Sequence, residues 1–371
     1  MVIKRRKSRI IKIGNIEIGG ANPIAIQSMA KVKTSDIEKT VRQLKELESA
    51  GCEIVRLAIK DSLDARAIKR IKLKVKLPIA ADIHFNWRLA LEAIDNGADK
   101  IRLNPGNIYK QDQIKEIVRA AKINHIPIRV GVNSGSLSVS RLAGLLVCRS
   151  QADKMVKSAL DYVKILERFK FHDIVISLKG SDILDTVEAY RKIAKLSDYP
   201  LHLGLTATGA SYNGGIKSSI ALGALLMDGI GDTIRVSLTD EPRQEIKAAR
   251  AILESLGLRC FGPEIISCPT CGRCGVDLVK IIKELENSLS RYPVIPLSRL
   301  TGKQANRLTG KPIKVAVMGC EVNGPGEARQ ADIGIAFGKK MGVLFSKGKL
   351  IKKVSFDKCV DALLEGIQVK K

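Results

Sequence analysis

Two groups of residues in this chain have types and spacings that could do chemistry. The first is a set of cysteines: Cys268-Pro269-Thr270-Cys271, then Cys274, and then Cys320 inside the stretch Met318-Gly319-Cys320-Glu321-Val322-Asn323-Gly324-Pro325-Gly326-Glu327. Clustered cysteines in a chain that is no disulfide scaffold point to metal binding or catalysis. A Cys-x-x-Cys turn also occurs in zinc knuckles, but a zinc ribbon wants a second such turn, and Cys320 and Cys359 stand singly. Three thiolates with a weaker fourth donor suit an iron–sulfur cluster with one labile iron. Glu327, a harder and more exchangeable ligand than a thiolate, can supply that fourth bond. Cys274 completes a ferredoxin-like Cys-x-x-Cys-x-x-Cys trio and stays open as a ligand. Cys52, Cys148 and Cys260 read as small buried hydrophobes.

The second group is cationic. Arg56, Arg102, Arg129 and Arg235 each lie inside an apolar run, as in Ile-Arg102-Leu and Ile-Arg129-Val. Arginine is rarely buried without a partner. Either each pairs with a carboxylate such as Asp82, Asp99 or Asp232, or several converge on a multiply charged anion through bidentate hydrogen bonds. Other polar residues recur at equivalent places in neighbouring runs: Gln27, Asp82 and His84, Asn104, Asn133, Lys179, His202 and Thr206, and Ser237. His125 and His172 precede such runs and read as structural or solvated.

The elements that must position these residues follow from periodicity. Short β-branched runs at Pro23–Met29, Glu53–Ala58, Pro78–Asp82, Lys100–Leu103, Pro127–Val132, Asp173–Leu178, Leu201–Leu205 and Thr233–Leu238 read as strands. Amphipathic stretches alternate with them, with start signals at Ser35-Asp36 and Asp182 and glycines at Gly51 and Gly97 where helices should end. The α/β alternation predicts a (β/α)8 TIM barrel over residues 1–258, which puts the polar residues at the carboxyl ends of its strands, where such barrels keep their chemistry. Neither a dinucleotide fingerprint nor a Walker A loop is present. Residues 259–371 read as a small α+β iron–sulfur domain: a helix at Val276–Leu289, a polar link at Pro296–Lys311, strands at Ile313–Met318, Asp332–Phe337 and Gly342–Phe345, and a last helix at Asp357–Ile367.

Composition narrows the function classes. Of 371 residues, 45% are hydrophobic, which allows a sizeable core, and the net charge of +25 favours anionic partners. Aromatics at 4% are too few for a surface that stacks bases, so nucleic acid is not an expected partner. The run Lys4-Arg5-Arg6-Lys7 reads as a solvated terminus. With no signal-like segment and no spanning apolar run, a cytoplasmic protein with no membrane partner is expected.

At the residues just named the sequence resembles the bacterial 4-hydroxy-3-methylbut-2-en-1-yl diphosphate synthases of the non-mevalonate isoprenoid pathway. The matching stretches, in the family's order, are Gln27–Met29, Ala80–Phe85, Ile101–Asn107, Gly131–Leu137, Pro200–Gly204, Gly229–Leu238, Ser267–Arg273 and Met318–Ala328. The resemblance implies a [4Fe-4S] cluster bound by Cys268, Cys271, Cys320 and Glu327, with Glu327 yielding its iron during catalysis. It implies reductive ring opening and dehydration of 2-C-methyl-D-erythritol 2,4-cyclodiphosphate, with two electrons from flavodoxin or ferredoxin. The diphosphate is expected among Arg56, Asp82, His84, Arg102, Asn104, Arg129, Asn133, Lys179, His202, Arg235 and Ser237. A head-to-tail homodimer is also implied. Two departures stand out. The family's Thr-Glu-Ala-Gly is here Thr206-Ala207-Thr208-Gly209, and its Thr-Asn-Thr after Gln-Ser-Met is Ala30-Lys31-Val32. The lost glutamate leaves a second reading, a non-catalytic or altered-chemistry paralogue that keeps the cluster and the diphosphate site.

Overall fold

The computed structural model describes residues 3–137, 150–290 and 312–368. The chain divides between Arg259 and Cys260 into two compact units. Cys148 and the polar link at 296–311 lie outside the described residues.

The first unit opens with a hairpin, β1 (Ile11–Ile13) and β2 (Ile16–Ile18), and continues through β3 (Ala25–Met29), α1 (Ile37–Ala50), β4 (Ile54–Ile59), α2 (Ser62–Lys72), β5 (Ile79–Ile83), α3 (Arg88–Asp95), β6 (Lys100–Leu103) and α4 (Gln111–Ile123). It is completed by β7 (Ile128–Asn133), α5 (Gln151–Arg168), β8 (Ile174–Lys179), α6 (Ile183–Leu196), β9 (His202–Leu203), α7 (Ser211–Met227), β10 (Thr233–Ile234) and α8 (Pro242–Ser255). Local chemistry sets the boundaries. The Asp36 carboxylate accepts from Lys39 N at the start of α1, and Gly51 ends that helix in the left-handed region at φ 101°. Asp182 caps α6 in the same way through Asp185 N.

The eight strands β3 to β10 form one parallel sheet in the order β8-β7-β6-β5-β4-β3-β10-β9. A bridge between Ile176 in β8 and Leu201 brings its two ends together, so the sheet closes into the expected barrel. The hairpin was not anticipated. Ile11, Ile13, Ile16 and Ile18 are buried against Ala25, Ile54, Ala80 and Val175, residues at the amino-terminal ends of four barrel strands. Isoleucine from outside the barrel therefore forms its floor.

In the basic terminus Lys4 and Lys7 are exposed as expected, but Arg5 and Arg6 are not, which corrects the sequence reading for these two. Arg5 Nη2 and Ser8 Oγ both donate to Asp232 Oδ1, at 3.0 and 2.8 Å, and Arg6 Nη2 donates to Tyr199 O at 2.7 Å. A fan of guanidinium donors can satisfy several carbonyls and a carboxylate at once, so a cationic segment can serve as a strap. Cys260 is half-buried, not enclosed as expected. Just before it, Arg259 pairs with Glu53 at 2.9 Å, neither side chain more than 1% exposed, and Glu53 Oε2 also accepts from Ile26 N.

The second unit is built on a five-stranded sheet in sequence order: β11 (Glu264–Ser267), β12 (Lys314–Met318), β13 (Ile333–Phe337), β14 (Gly342–Ser346) and β15 (Lys349–Val354). The first three are parallel and the last two antiparallel. Helix α9 (Leu278–Ser290) and a terminal helix, Cys359–Gln368, cover one face through Leu278, Leu285, Val317, Ile335, Leu363 and their neighbours. A short helix, Gly324–Gln330, packs its Ala328 with Ala316, Met318 and Ala336. Among the described residues no helix is long and apolar enough to cross a membrane.

Candidate active site

Side chains alternate along a strand, so Lys100, Arg102 and Asn104 share one face of β6 and its extension. Register carries that face around the barrel: Met29 lies beside Arg56, Asp82 beside Arg102, Arg102 beside Arg129, and Asn133 beside Lys179. Asp82 sits at the centre of the charges. It accepts from Arg102 Nη1 at 3.2 Å and lies 3.5 Å from Arg56 Nε and 3.6 Å from His84 Nε2. Burial alone would raise its pKa. Arg56, the His84 hydrogen bond, Arg102 and Arg129 outweigh burial and hold the carboxyl well below the usual range.

Arg235 pairs with Glu245 on α8, at 3.2 Å to Oε1 and 3.3 Å to Oε2. Ser28 Oγ donates to the same carboxylate at 2.9 Å. Arg129 has no such partner. It is 1% exposed, its Nη1 donates to Ser177 Oγ at 2.8 Å, and Nε and Nη2 have no hydrogen-bond partner. Lys179 Nζ, at the end of β8, is likewise without a partner although the residue is only 4% exposed. Burial and the neighbouring arginines push the pKa of Lys179 and of Arg129 well down. Glycines clear room for this crowding. A Cβ on Gly131 would lie 2.6 Å from Arg102 Nε, and one on Gly204 would lie 2.6 Å from Lys179 Nζ.

The remaining expected residues fall around the same interior. Asn104 Nδ2 donates to Ser136 Oγ, which in turn donates to Asn133 O, joining the ends of β6 and β7. Ser237 O accepts from Thr208 Oγ1. His202 is completely buried. Its Nδ1 lies 2.8 Å from Thr233 Oγ1, and its Nε2 has no partner. Burial and then the charge of Lys179 lower its pKa far enough to keep the imidazole neutral.

Lys100 escaped the sequence reading. It is completely buried below Arg102, with Nζ donating to Gln27 Oε1 at 2.9 Å, and burial followed by Arg129 and Arg56 drives its pKa well down. The signal was available: Lys100 is the first of the alternating polar positions in Lys100-Ile-Arg102-Leu-Asn104. Among the described residues, the interior thus gathers Arg56, Lys100, Arg102, Arg129, Lys179 and Arg235 against the carboxylates of Asp82 and Glu245. A buried excess of positive charge with donors left over is a site prepared for an anion.

In the second unit, Cys268 follows β11 and Cys320 lies just beyond β12, neighbouring parallel strands whose last pair is Ser267 with Val317. Cys268 Sγ accepts from Gly319 N at 3.3 Å. A Cβ at Gly319 would lie 2.3 Å from Cys274 Sγ and 3.5 Å from Cys268 Sγ, so only glycine leaves this sulfur-lined cradle open. Thr270 turns the Cys-x-x-Cys loop through a left-handed φ of 62°. Cys271 is exposed, and hydrogen bonds from the Arg273 backbone and side chain lower its thiol pKa, which favours thiolate. Glu327 is exposed on the short helix. Among the described residues no three His, Cys, Asp or Glu side chains converge as they would on a single ion. A cubane cluster spreads its ligands over four irons, and a soft sulfur set around an open glycine fits such a group.

Both units also match known sequences. The GcpE TIM-barrel domain matches residues 8–250 and the GcpE protein C-terminal domain matches residues 264–369. The chain belongs to the GcpE family. GcpE relatives named "4-hydroxy-3-methylbut-2-en-1-yl diphosphate synthase (flavodoxin)" include one from Caldicellulosiruptor saccharolyticus, 53% identical over 96% of this chain and 97% of its own. Those from Fusobacterium nucleatum (50%, covering 96% of each chain) and Thermodesulfovibrio yellowstonii (49%, covering 99% of this chain and all of its own) are similar. In this GcpE chain the two departures noted in the sequence have defined places. Ala207 is exposed at a left-handed φ of 52°. Lys31 Nζ donates to the carbonyls of Leu238 and Asp240 and lies 3.5 Å from Glu245 Oε1.

Gly131 gives a direct check on the cationic interior. Gly131→Ala is expected to displace the Arg102 guanidinium and to weaken binding of inorganic pyrophosphate at least about tenfold, since each charge-assisted hydrogen bond contributes roughly 1.5–3 kcal/mol. Calorimetric titration reads the affinity, and unchanged binding would show that Arg102 does not face the ligand.

Proposed function

We propose that the chain opens the ring of 2-C-methyl-D-erythritol 2,4-cyclodiphosphate and dehydrates it to (E)-4-hydroxy-3-methylbut-2-enyl diphosphate, taking two electrons from flavodoxin or ferredoxin and two protons from the medium and releasing one oxygen as water. The observation that carries this reading is the buried cationic interior with unpartnered Arg129 Nη2 and Lys179 Nζ, which suits a diphosphate. Full-length similarity to relatives bearing the synthase name supports it over a non-catalytic paralogue.

Each protein group has a role in this reading. Arg56, Arg102, Arg129, Lys179 and Arg235 grip the diphosphate oxygens, with His84, Asn104, Asn133 and Ser237 at the rim. Asp82 and Glu245 aim the guanidiniums, His202 stays neutral beneath them, and Lys100 adds positive potential from below. Cys268, Cys271, Cys320 and Glu327 would hold a [4Fe-4S] cluster, which when bound supplies electrons one at a time and an iron able to act as a Lewis acid. The charge of +25 suits an acidic electron-donor protein. A cytoplasmic setting, which keeps the cysteines reduced, completes the reading.

The test is turnover of the cyclic diphosphate by anaerobically reconstituted protein with a strong artificial reductant, beside an Ala207→Glu variant. The native chain is expected to turn over. The variant is expected to be faster by up to about 10²-fold, because a restored carboxylic acid can protonate the departing oxygen. If neither turns over with the cluster intact, the substrate assignment fails.

The proposed homodimer has support on α7. Tyr212, Ile216, Ile220 and Met227 stand 81%, 45%, 55% and 56% exposed, an apolar stripe at helical spacing. Ile216→Glu combined with Ile220→Glu is expected to convert dimers to monomers in sedimentation at micromolar concentration. A dimer that persists would move the interface elsewhere.

A further inference from the structure

The second unit carries a cationic face that the proposed chemistry leaves unused. Strands β13 and β14 are joined by the turn Gly338-Lys339-Lys340-Met341, in which Gly338 N donates to Met341 O at 2.9 Å. This turn lies against both cysteine loops. A Cβ on Gly338 would sit 3.5 Å from Glu321 Oε2, one residue past Cys320, and a Cβ on Gly275, one residue past Cys274, would sit 3.7 Å from Gly338 O. Lys353 in β15 lies opposite Val343, so a third ammonium stands at the same end of the sheet. Lys339, Lys340 and Lys353 are exposed, and among the described residues none of them forms an ion pair. Lysines on β15 blunt an edge strand. Lys339 and Lys340 stand on a turn, where no edge needs protection. Nor does protection account for Met341, Leu350 and Ile351, which are exposed on the same turn and strand. Apolar side chains beside unpaired cations have the make-up of a protein interface with a charged rim.

We infer that the turn at 339–341 and the adjoining end of β15 are the surface on which the electron donor docks, an acidic protein whose carboxylates meet Lys339, Lys340 and Lys353 and whose apolar contact is Met341. The inference deepens the reading given above and rests on it. Charge complementarity selects an acidic partner. Position selects an electron carrier, because transfer needs close approach and a protein seated on this turn is next to the loops that bear the cysteines. At each encounter the reduced donor loses one electron, the cluster held by those cysteines gains it, and no bond or proton moves at this surface. Two encounters supply the two electrons of one turnover.

The test titrates the full chain, reconstituted anaerobically, with oxidised flavodoxin at low ionic strength, so that calorimetry reads binding without turnover. Lys339→Glu combined with Lys340→Glu is expected to bind at least about tenfold more weakly, with an affinity that falls less steeply as salt is added. Lys347→Glu combined with Lys349→Glu makes the same change of charge at the opposite end of the β14–β15 hairpin and is expected to weaken binding by less than about threefold. Turnover of the cyclic diphosphate driven by reduced methyl viologen, a small reductant that needs no docking surface, is expected to be equal in all three chains. With reduced flavodoxin below saturation, turnover by the Lys339 and Lys340 variant is expected to fall at least about tenfold. Equal binding by all three chains, or equal weakening by both pairs, overturns the docking surface and leaves the synthase reading intact. Loss of viologen-driven turnover in the Lys339 and Lys340 variant also overturns it, because the turn then shapes the cysteine site itself. A native chain that turns over with neither reductant is a failure of the synthase reading, and the binding comparison still decides the docking surface.

Discussion

Arg129→Met is expected to destroy diphosphate binding and, at the same time, to raise the melting temperature of the ligand-free protein. Arg129 is 1% exposed, donates to Ser177 through one nitrogen, and faces Arg56 and Arg102 with no carboxylate of its own. Burial and the two neighbouring arginines oppose its charge more strongly than Asp82 supports it. A methionine of similar length should therefore stabilise the fold by about 1–3 kcal/mol, as replacement of buried charges by apolar groups often does. The bound anion reverses the sign, because a guanidinium then meets phosphate oxygens in a water-poor interior. Losing a buried charged contact of that kind costs roughly 2–5 kcal/mol, which corresponds to about 10²–10³-fold in affinity. Thermal melts with and without inorganic pyrophosphate read both effects. Pyrophosphate should raise the melting temperature of the native chain and leave that of the variant unmoved. A variant that melts lower and still binds would make Arg129 a structural residue.

The opposite sign is expected at the edge of the first unit. Arg259 and Glu53 are a closed pair, with Arg259 Nη1 also donating to Ile24 O at 2.6 Å and Glu53 accepting from Ile26 N. Arg259→Met leaves the Glu53 carboxylate buried without its counter-charge, at a cost of about 3–5 kcal/mol. For a unit of this size that corresponds to roughly 10 °C in melting temperature. Glu53→Gln in the same background should recover part of the loss by removing the stranded charge, a double-mutant comparison that isolates the pair. A fall of under about 1 kcal/mol for the single variant would show that water reaches the carboxylate.

How much of this was legible in the sequence depended on whether a residue belonged to a repeating pattern. The eight barrel strands were readable because β-branched runs alternate with well-capped amphipathic stretches, and Asp36 and Asp182 cap their helices as their positions suggested. The hairpin β1–β2 was missed because Ile-Lys-Ile and Ile-Glu-Ile are each only three residues long. Strand β15 was missed because Lys-Leu-Ile-Lys-Lys-Val is an exposed edge strand with lysines that blunt it, so no apolar run marks it. Four of the proposed diphosphate residues could be named from arginines set in apolar runs, and the others from polar residues recurring at strand ends. Their partners could not all be named. Asp82 sits at a strand end and was weighed, whereas Glu245 comes from a helix packed outside the barrel, and its role depends on tertiary contact alone. The Arg5–Asp232 contact joins residues 227 apart in the chain, a pairing that no local pattern encodes.

The isoleucine floor gives the barrel a consequence for traffic. With Ile11, Ile13, Ile16 and Ile18 closing its lower end, the interior is, among the described residues, a cup closed at the bottom. On the reading proposed above, a ligand that enters past His84 and Asn104 leaves by the route it came, so product has to clear the rim before the next molecule can be seated. The same floor places hydrocarbon, not solvent, behind Lys100 and Arg129. Their attraction for an anion is then weakly screened from below, so affinity in this cup should fall less steeply with added salt than at an open cationic surface.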